Sequence, residues 1–144
     1  MSPSMPRLWQ KLNIGAHREV LVLNAPSSFT SELKVLQGVR VRRQVTAVEQ
    51  VAFALVFVLN QKELDRWSAA VVAKAAGDAL LWFAYPKGTS KRYTSDINRD
   101  QGWDVLRAAD FDCVRQVAID EDWSALRFRR TEFINQRSRA AIDG

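Results

Sequence analysis

Hydrophobic residues follow two patterns along this chain. Residues 20–23 (Val-Leu-Val-Leu), 54–59 (Ala-Leu-Val-Phe-Val-Leu) and 80–84 (Leu-Leu-Trp-Phe-Ala) are apolar without interruption, and polar or turn residues bound each run. Unbroken apolar runs of strand length predict strands covered on both faces, as in the middle of a parallel sheet. Elsewhere the pattern alternates. Residues 39–45 interleave Val39, Val41, Arg43 and Val45 with Arg40, Arg42 and Gln44, which predicts a half-exposed edge strand. Residues 114–119 and 124–130 alternate in part around Asp120-Glu121-Asp122-Trp123, and that pair predicts an antiparallel hairpin with an acidic turn.

Helical signals lie between the strands. Ser27 or Ser28 is placed to cap a short helix ending near Leu36, with Gly38 just beyond it. Residues 46–53 read as a second short helix or an irregular crossover. Asn60 precedes a longer helix from Gln61, and Glu63 sits three residues on, in capping-box position. Leu64, Trp67 and Val71 give that helix one apolar face, and Gly77 is expected to close it. Ser95 or Asp96 is expected to start another helix, with Trp103, Leu106 and Ala109 facing the sheet. The expected fold is α/β: an open, mostly parallel Rossmann-like sheet with helices on both faces and a C-terminal antiparallel hairpin. Residues 1–18 are expected to form an N-terminal segment packing on the domain and residues 19–130 a single α/β domain. Residues 131–144 read as a frayed or weakly helical tail.

Composition narrows the class. The chain has 144 residues, enough for one domain with a real core. Its single cysteine, Cys113, excludes an internal disulfide and fits a reducing, cytoplasmic compartment. No apolar run approaches the ~20 residues of a membrane span, and the N-terminus lacks the continuous apolar core of a signal peptide. Net charge is +5, with arginines concentrated at 40, 42 and 43 and again at 127, 129, 130, 137 and 139. That admits an anionic partner but is equally the charge of solvated strand faces.

The order strand, helix, strand, crossover, strand, long helix, strand, helix, hairpin resembles that of the class I methyltransferase fold over residues 19–130, shortened by at least one early strand–helix unit. The resemblance implies a glycine-rich turn after the first strand, where backbone approaches S-adenosylmethionine, and an acidic residue after the second strand for the ribose. This chain departs from both. Its first turn, Asn24-Ala25-Pro26-Ser27-Ser28-Phe29, contains no glycine, and Pro26 removes an N–H donor. The second strand runs into Val45-Thr46-Ala47-Val48-Glu49, with no acid at its end. No cofactor is therefore expected. Val20-Leu21-Val22-Leu23-Asn24-Ala25-Pro26, Leu81-Trp82-Phe83-Ala84-Tyr85-Pro86-Lys87, Asp96-Ile97-Asn98-Arg99-Asp100, Gly102-Trp103 and Trp123-Ser124-Ala125-Leu126-Arg127 also resemble a family of short bacterial proteins classed as a domain of unknown function. That resemblance implies no activity.

The densest candidate chemistry is residues 85–103, a polar stretch following an apolar strand. In open α/β sheets ligands bind outside the carboxyl ends of the strands, so Asn24, Asn60 and residues 85–90 should gather along one edge. The candidate ligand-binding residues are Asn24, Asn60, Lys87, Ser90, Asp96, Arg99 and Trp123. Lys87, Ser90 and Arg99 suit an anion; Asp96 serves equally as a helix cap, and Trp123 either lines a cleft or covers a core edge. Gly88-Thr89-Ser90-Lys91 lacks the paired glycines of a phosphate-binding P-loop. One histidine, His17, and one cysteine cannot assemble a His/Cys metal site, and no catalytic or metal-binding set is assigned. Cys113 reads as a packed small residue. Trp67, Trp82 and Trp103 read as core, and Trp9 as packing on the sheet or on a partner.

Three functions follow. The first is a non-enzymatic domain binding a small anion or a protein, with homodimerisation through an edge strand open to it. The second is a small enzyme acting on an anionic substrate, with Lys87 neutralising charge, Asp96 or Asp100 as base, and Asn24 and Asn60 orienting substrate. The third is a basic nucleic-acid-binding module using Arg40, Arg42, Arg129 and Arg130. A continuous arginine stripe would favour the third.

Overall fold

The computed structural model describes residues 5–134. Six strands form one sheet in the order β2-β1-β3-β4-β6-β5, where β1 is Glu19–Leu23, β2 Arg40–Arg42, β3 Val51–Phe57, β4 Ala75–Pro86, β5 Phe111–Ala118 and β6 Trp123–Arg130. β2, β1, β3 and β4 are parallel, and β6 runs antiparallel to both β4 and β5. Five strands thus share one sense. The three unbroken apolar runs fall on β1, β3 and β4, parallel strands with a neighbour on each side and both faces covered, the second run extending two residues past β3.

One face carries Leu21, Val56, Leu81, Phe83 and Phe128 beneath helices α3 (Gln61–Val72) and α4 (Asp104–Ala108), with Leu64, Val71 and Leu106 fully buried. The opposite face carries Val22, Leu55, Phe57, Trp82 and Ala125 beneath α1 (Arg7–Lys11) and the segment containing α2 (Thr30–Lys34). Trp9 is wholly buried there, and its Nε1 donates to Glu32 O at 2.9 Å; Trp82 Nε1 donates to Leu12 O at 2.9 Å. Each indole thereby buries its ring without orphaning its N–H.

Several local expectations are corrected. β2 is three residues long, because the ladder to β1 ends at the Leu21–Arg42 pair and Val45–Ala47 turns away as a 3-10 segment. Neither Ser27 nor Ser28 caps α2; a 3-10 turn, Ser27–Phe29, leads into it without a side-chain cap. Asn60 does cap α3, its Oδ1 accepting from Glu63 N at 3.0 Å. Gly77 does not close that helix. α3 stops at Val72 because Lys74 turns inward: its Nζ donates to Val45 O and Val48 O at 2.8 and 2.7 Å, and its carbonyl accepts from Val51 N. Gly77 lies inside β4 with φ +54°.

The helix expected from residue 95 or 96 is also shorter. Only Asp104–Ala108 is helical, and residues 87–103 form an irregular loop. Asn98 Oδ1 accepts from Asp100 N and Gln101 N at 2.8 and 2.9 Å, a local turn that competes with helix formation. Trp103 and Leu106 face the core, while Ala109 is only partly buried. Cys113 is exposed on edge strand β5 rather than packed. Residues 131–134 take a helical turn after β6, and the remainder of the expected tail lies outside the described residues.

Candidate functional site

The candidate site lies at the carboxyl end of β4, where the chain leaves the sheet at Pro86 and must return to α4. Two anchors hold the loop between them. Lys87 N donates to Asp122 O at 2.8 Å, and Ser90 Oγ donates to Asp122 Oδ1 at 2.8 Å while accepting from Arg92 N and Tyr93 N. At the other end Asp96 Oδ1 accepts from Gln61 N at 2.8 Å, so Asp96 caps α3 from outside rather than starting a helix of its own. Asp120 Oδ1 accepts from Asp122 N and Trp123 N, which shapes the hairpin turn that receives the Ser90 anchor.

This framework walls a cleft of about 580 Å³ lined by Tyr85, Lys87, Thr89, Arg99, Gln116 and Ser124, among others. The β4–β6 register sets Tyr85 opposite Ser124, and the β5–β6 register brings Gln116 alongside. Gln116 Nε2 donates to Ser124 Oγ at 3.1 Å and to Tyr85 Oη at 3.4 Å. Burial pushes the Tyr85 phenol up from its ordinary value, with hydrogen bonding to Ser124 and the charge of Arg99 pulling partly back. Tyr85 is therefore a neutral O–H at physiological pH. Lys87 and Arg99 are the only charged side chains lining the cleft, and neither forms an ion pair among the described residues. A second hollow of about 380 Å³ shares Lys87, Gly88 and Asn98 with the first and continues along Tyr93, Thr94 and Asp96.

The seven candidate residues separate in three dimensions. Lys87 and Arg99 both line the main cleft; Ser90 and Asp96 border the second hollow, each already holding part of the loop. Asn60 is the α3 cap. Asn24, at φ +60° after β1, donates from Nδ2 to Phe57 O at 3.4 Å and lines neither hollow. β1 stands two strand spacings from β4, roughly 10 Å, which is why one sheet edge does not make one site. Trp123 is 3% exposed on the opposite face of the sheet, its ring 5.1 Å from those of both Phe57 and Tyr93. It covers the core edge and does not reach the cleft.

Tyr85, Thr89 and Asn98 belong to the polar stretch already singled out in the sequence, whereas Gln116 and Ser124 come from the hairpin. The signal for Ser124 was its place in the expected hairpin strand, but the pairing that sets it beside Tyr85 comes from the sheet itself. Desolvation raises the Cys113 thiol, with Asp112 adding to it and the Arg115 carbonyl contact opposing, which leaves the thiol poorly activated. No group of three or more His, Cys, Asp or Glu among the described residues is arranged to hold a metal ion. No described helix is long and apolar enough to cross a membrane.

The arginines named for nucleic acid do not form a stripe. Arg40 and Arg42 lie on β2 and Arg129 and Arg130 on β6, with β1, β3 and β4 between them. Arg42 pairs with Glu19 at 3.2 Å, Arg129 grips Asp78 through two bonds of 2.8 and 2.6 Å, and Arg130 donates to Gly77 O and Ala75 O.

Comparison with solved structures places this architecture. The chain superposes on the mitomycin 7-O-methyltransferase MmcR with a TM-score of 0.59 at 8% identity, covering 81% of this chain and 50% of that one. The N-methyltransferase NodS from Bradyrhizobium japonicum WM9, in complex with S-adenosyl-L-homocysteine, gives 0.56 at 14% identity, covering 85% of this chain and 84% of that one. Magnesium protoporphyrin IX methyltransferase (ChlM) from Synechocystis PCC 6803 gives 0.55 at 8% identity, covering 85% and 78%. The fold is methyltransferase-like. At these identities the likeness concerns architecture alone, and no family model and no curated protein matches the chain.

The resemblance in element order implies a seat for S-adenosylmethionine after β1 and β2, and the residues present there do not fit it. The turn after β1 carries a Cβ at every position, and its first residue is tied by Asn24 Nδ2 to the end of β3. Phe29 follows, buried with its ring 5.0 Å from Phe57 and 5.8 Å from Trp9, so this edge is filled by packed aromatic side chains. β2 ends at Arg42 and continues into Arg43 and Gln44, which offer no carboxylate to a ribose. The next acid, Glu49, comes two residues before β3 begins, at the opposite edge of a parallel sheet.

Proposed function

We propose that this protein is a non-enzymatic, cytoplasmic binding domain of methyltransferase-like fold that holds a small anion in the cleft between Lys87 and Arg99. The carrying observation is that two cations without ion-pair partners line one cleft in which no carboxylate takes part. Neutral O–H donors stand beside them at Tyr85 and Thr89, so an anion there gains charge-assisted bonds as well as Coulomb attraction. The volume falls in the ordinary range for small-molecule sites. Binding rather than turnover is favoured because histidine, cysteine and carboxylate are missing from the cleft lining, which leaves no side chain suited to moving a proton near neutral pH.

Calorimetric titration with inorganic phosphate tests the reading. Lys87→Ala and Arg99→Ala each remove one cation from a solvated position and are expected to leave the circular dichroism spectrum unchanged. Each should weaken phosphate binding about tenfold, roughly the worth of one charge-assisted hydrogen bond. Wild-type silence, or equal binding by wild type and both variants, would overturn the proposed site.

A further inference from the structure

The second hollow gives the anion reading a chemical class, and the following inference rests on that reading. The two hollows share Lys87, Gly88 and Asn98, so a ligand anchored in the first has its remainder directed toward the second. The charges of the two differ. The main cleft holds Lys87 and Arg99, a net double positive charge; the second holds Lys87 and Asp96, which cancel. A second anionic group is repelled by Asp96 and a cationic one by Lys87. A neutral polar group suffers neither.

The hydrogen-bonding inventory of the second hollow specifies that neutral group further. Ser90 Oγ is saturated by Asp122, Arg92 and Tyr93, and Asn98 Oδ1 by Asp100 and Gln101, while Asn98 Nδ2 donates to Gln101 Oε1 and keeps one N–H. Besides that N–H and the Lys87 ammonium, five functions remain without a partner among the described residues: the second carboxylate oxygen of Asp96, the Tyr93 and Thr94 hydroxyls, the Ser95 O–H and the Gln101 Nε2 amide. These include a strong acceptor, a donor and three groups able to turn either way. Hydroxyl groups, which donate and accept at once, match that mixture; purely accepting or purely donating groups leave part of it unpaired. Tyr93, packed on Trp123 at 5.1 Å and partly exposed, gives the same hollow an apolar wall against which C–H groups can rest.

A phosphate carries about −1.5 to −2 charges at pH 7 and so answers two cations better than a single carboxylate does. We infer that the ligand is a monophosphorylated polyol, such as a sugar phosphate, with its phosphate between Lys87 and Arg99 and its hydroxyls at Asp96, Thr94 and Gln101.

Calorimetry with inorganic phosphate, glucose 6-phosphate, ribose 5-phosphate and glycerol 3-phosphate tests this directly. At least one phosphorylated polyol should bind tenfold or more tightly than phosphate. Asp96→Asn keeps an oxygen for the Gln61 N–H and so keeps the α3 cap, but removes the charge and the strong acceptor. It should erase most of that tenfold advantage while leaving phosphate itself within about twofold. If phosphate binds through Lys87 and Arg99 but none of the three polyol phosphates exceeds it by threefold, the inference fails and the anion reading stands. An advantage that survives Asp96→Asn also overturns the placement. If neither phosphate nor any phosphorylated polyol binds, both fail together.

Discussion

The Ser90 hydroxyl donates to Asp122 Oδ1 at 2.8 Å and clamps the 87–103 loop onto the turn of the β5–β6 hairpin. The same oxygen accepts the Arg92 and Tyr93 N–H groups, each at 3.2 Å, so one side chain closes a local turn and joins it to residues 32 positions away. Lys87 is bound to the same partner through its backbone, which sets the base of its side chain at the cleft mouth. Ser90→Ala removes the clamp. The expected result is a loss of about 1–2 kcal/mol in unfolding stability and faster hydrogen exchange at residues 92 and 93. Phosphate affinity should fall with them, because Lys87 loses its fixed approach. Exchange at these amides unchanged from wild type would remove the clamp from the account.

Gly102 is the glycine that the loop cannot replace. Its φ is +110°, and a Cβ built there would stand 2.7 Å from Gln61 Oε1 and 2.8 Å from Ile97 Cγ2. Gln61 also donates to the Gly102 carbonyl at 2.8 Å, tying the end of the loop to α3. Gly102→Ala should therefore destabilise the protein by about 1–3 kcal/mol, read as a lower urea midpoint with unchanged slope. A midpoint equal to wild type would show that loop and helix separate without cost.

The Asp78–Arg129 pair predicts a pH dependence. The Arg129 hydrogen bond holds the Asp78 carboxyl below its ordinary 3.8, with the charges of Arg129 and Arg127 adding and partial burial opposing. A depressed folded value means that the carboxylate stabilises the protein above pH 3.8 and that this contribution fades as pH falls through the lower, folded value. Asp78→Asn should lower Tm at neutral pH and flatten the acid limb of the Tm profile. Parallel profiles for variant and wild type between about pH 2 and about pH 7 would assign the acid limb to other groups.

S-adenosylhomocysteine titration tests the mismatch at the first turn. With no glycine between β1 and Phe29, and with Arg43 rather than an acid beyond β2, no heat of binding is expected at ligand concentrations near ~1 mM. Stoichiometric binding would mean that the cofactor is held by a route other than the glycine turn, and would reopen a methyltransferase activity.

The polar stretch that holds Lys87 and Arg99 was legible because it interrupts the apolar pattern abruptly after β4. The other half of the cleft was not. Gln116 is one of five consecutive exposed residues on β5, and nothing in that run marks which of them faces Tyr85. Asp96 shows the same limit from the other direction. Its residue type signals a cap, but whether it caps its own helix or another depends on Gln61 lying beside it, 35 residues away in sequence.

Periodicity was sufficient for what depends on neighbours along the chain. Three unbroken apolar runs required strands covered on both sides, and Asn60 with Glu63 required a helix start, because burial and capping act over one or two turns. The alternation of strands and helices, closed by a hairpin, required an open and mostly parallel α/β sheet. What packing alone settled was every feature that joins distant segments: the early end of α3 at Lys74, the failure of a long helix after residue 95, the burial of Trp123, and the placing of Lys87 and Arg99 on one cleft. These depend on hydrogen bonds and ring contacts whose partners are brought together only when the sheet closes, so no local pattern encodes them.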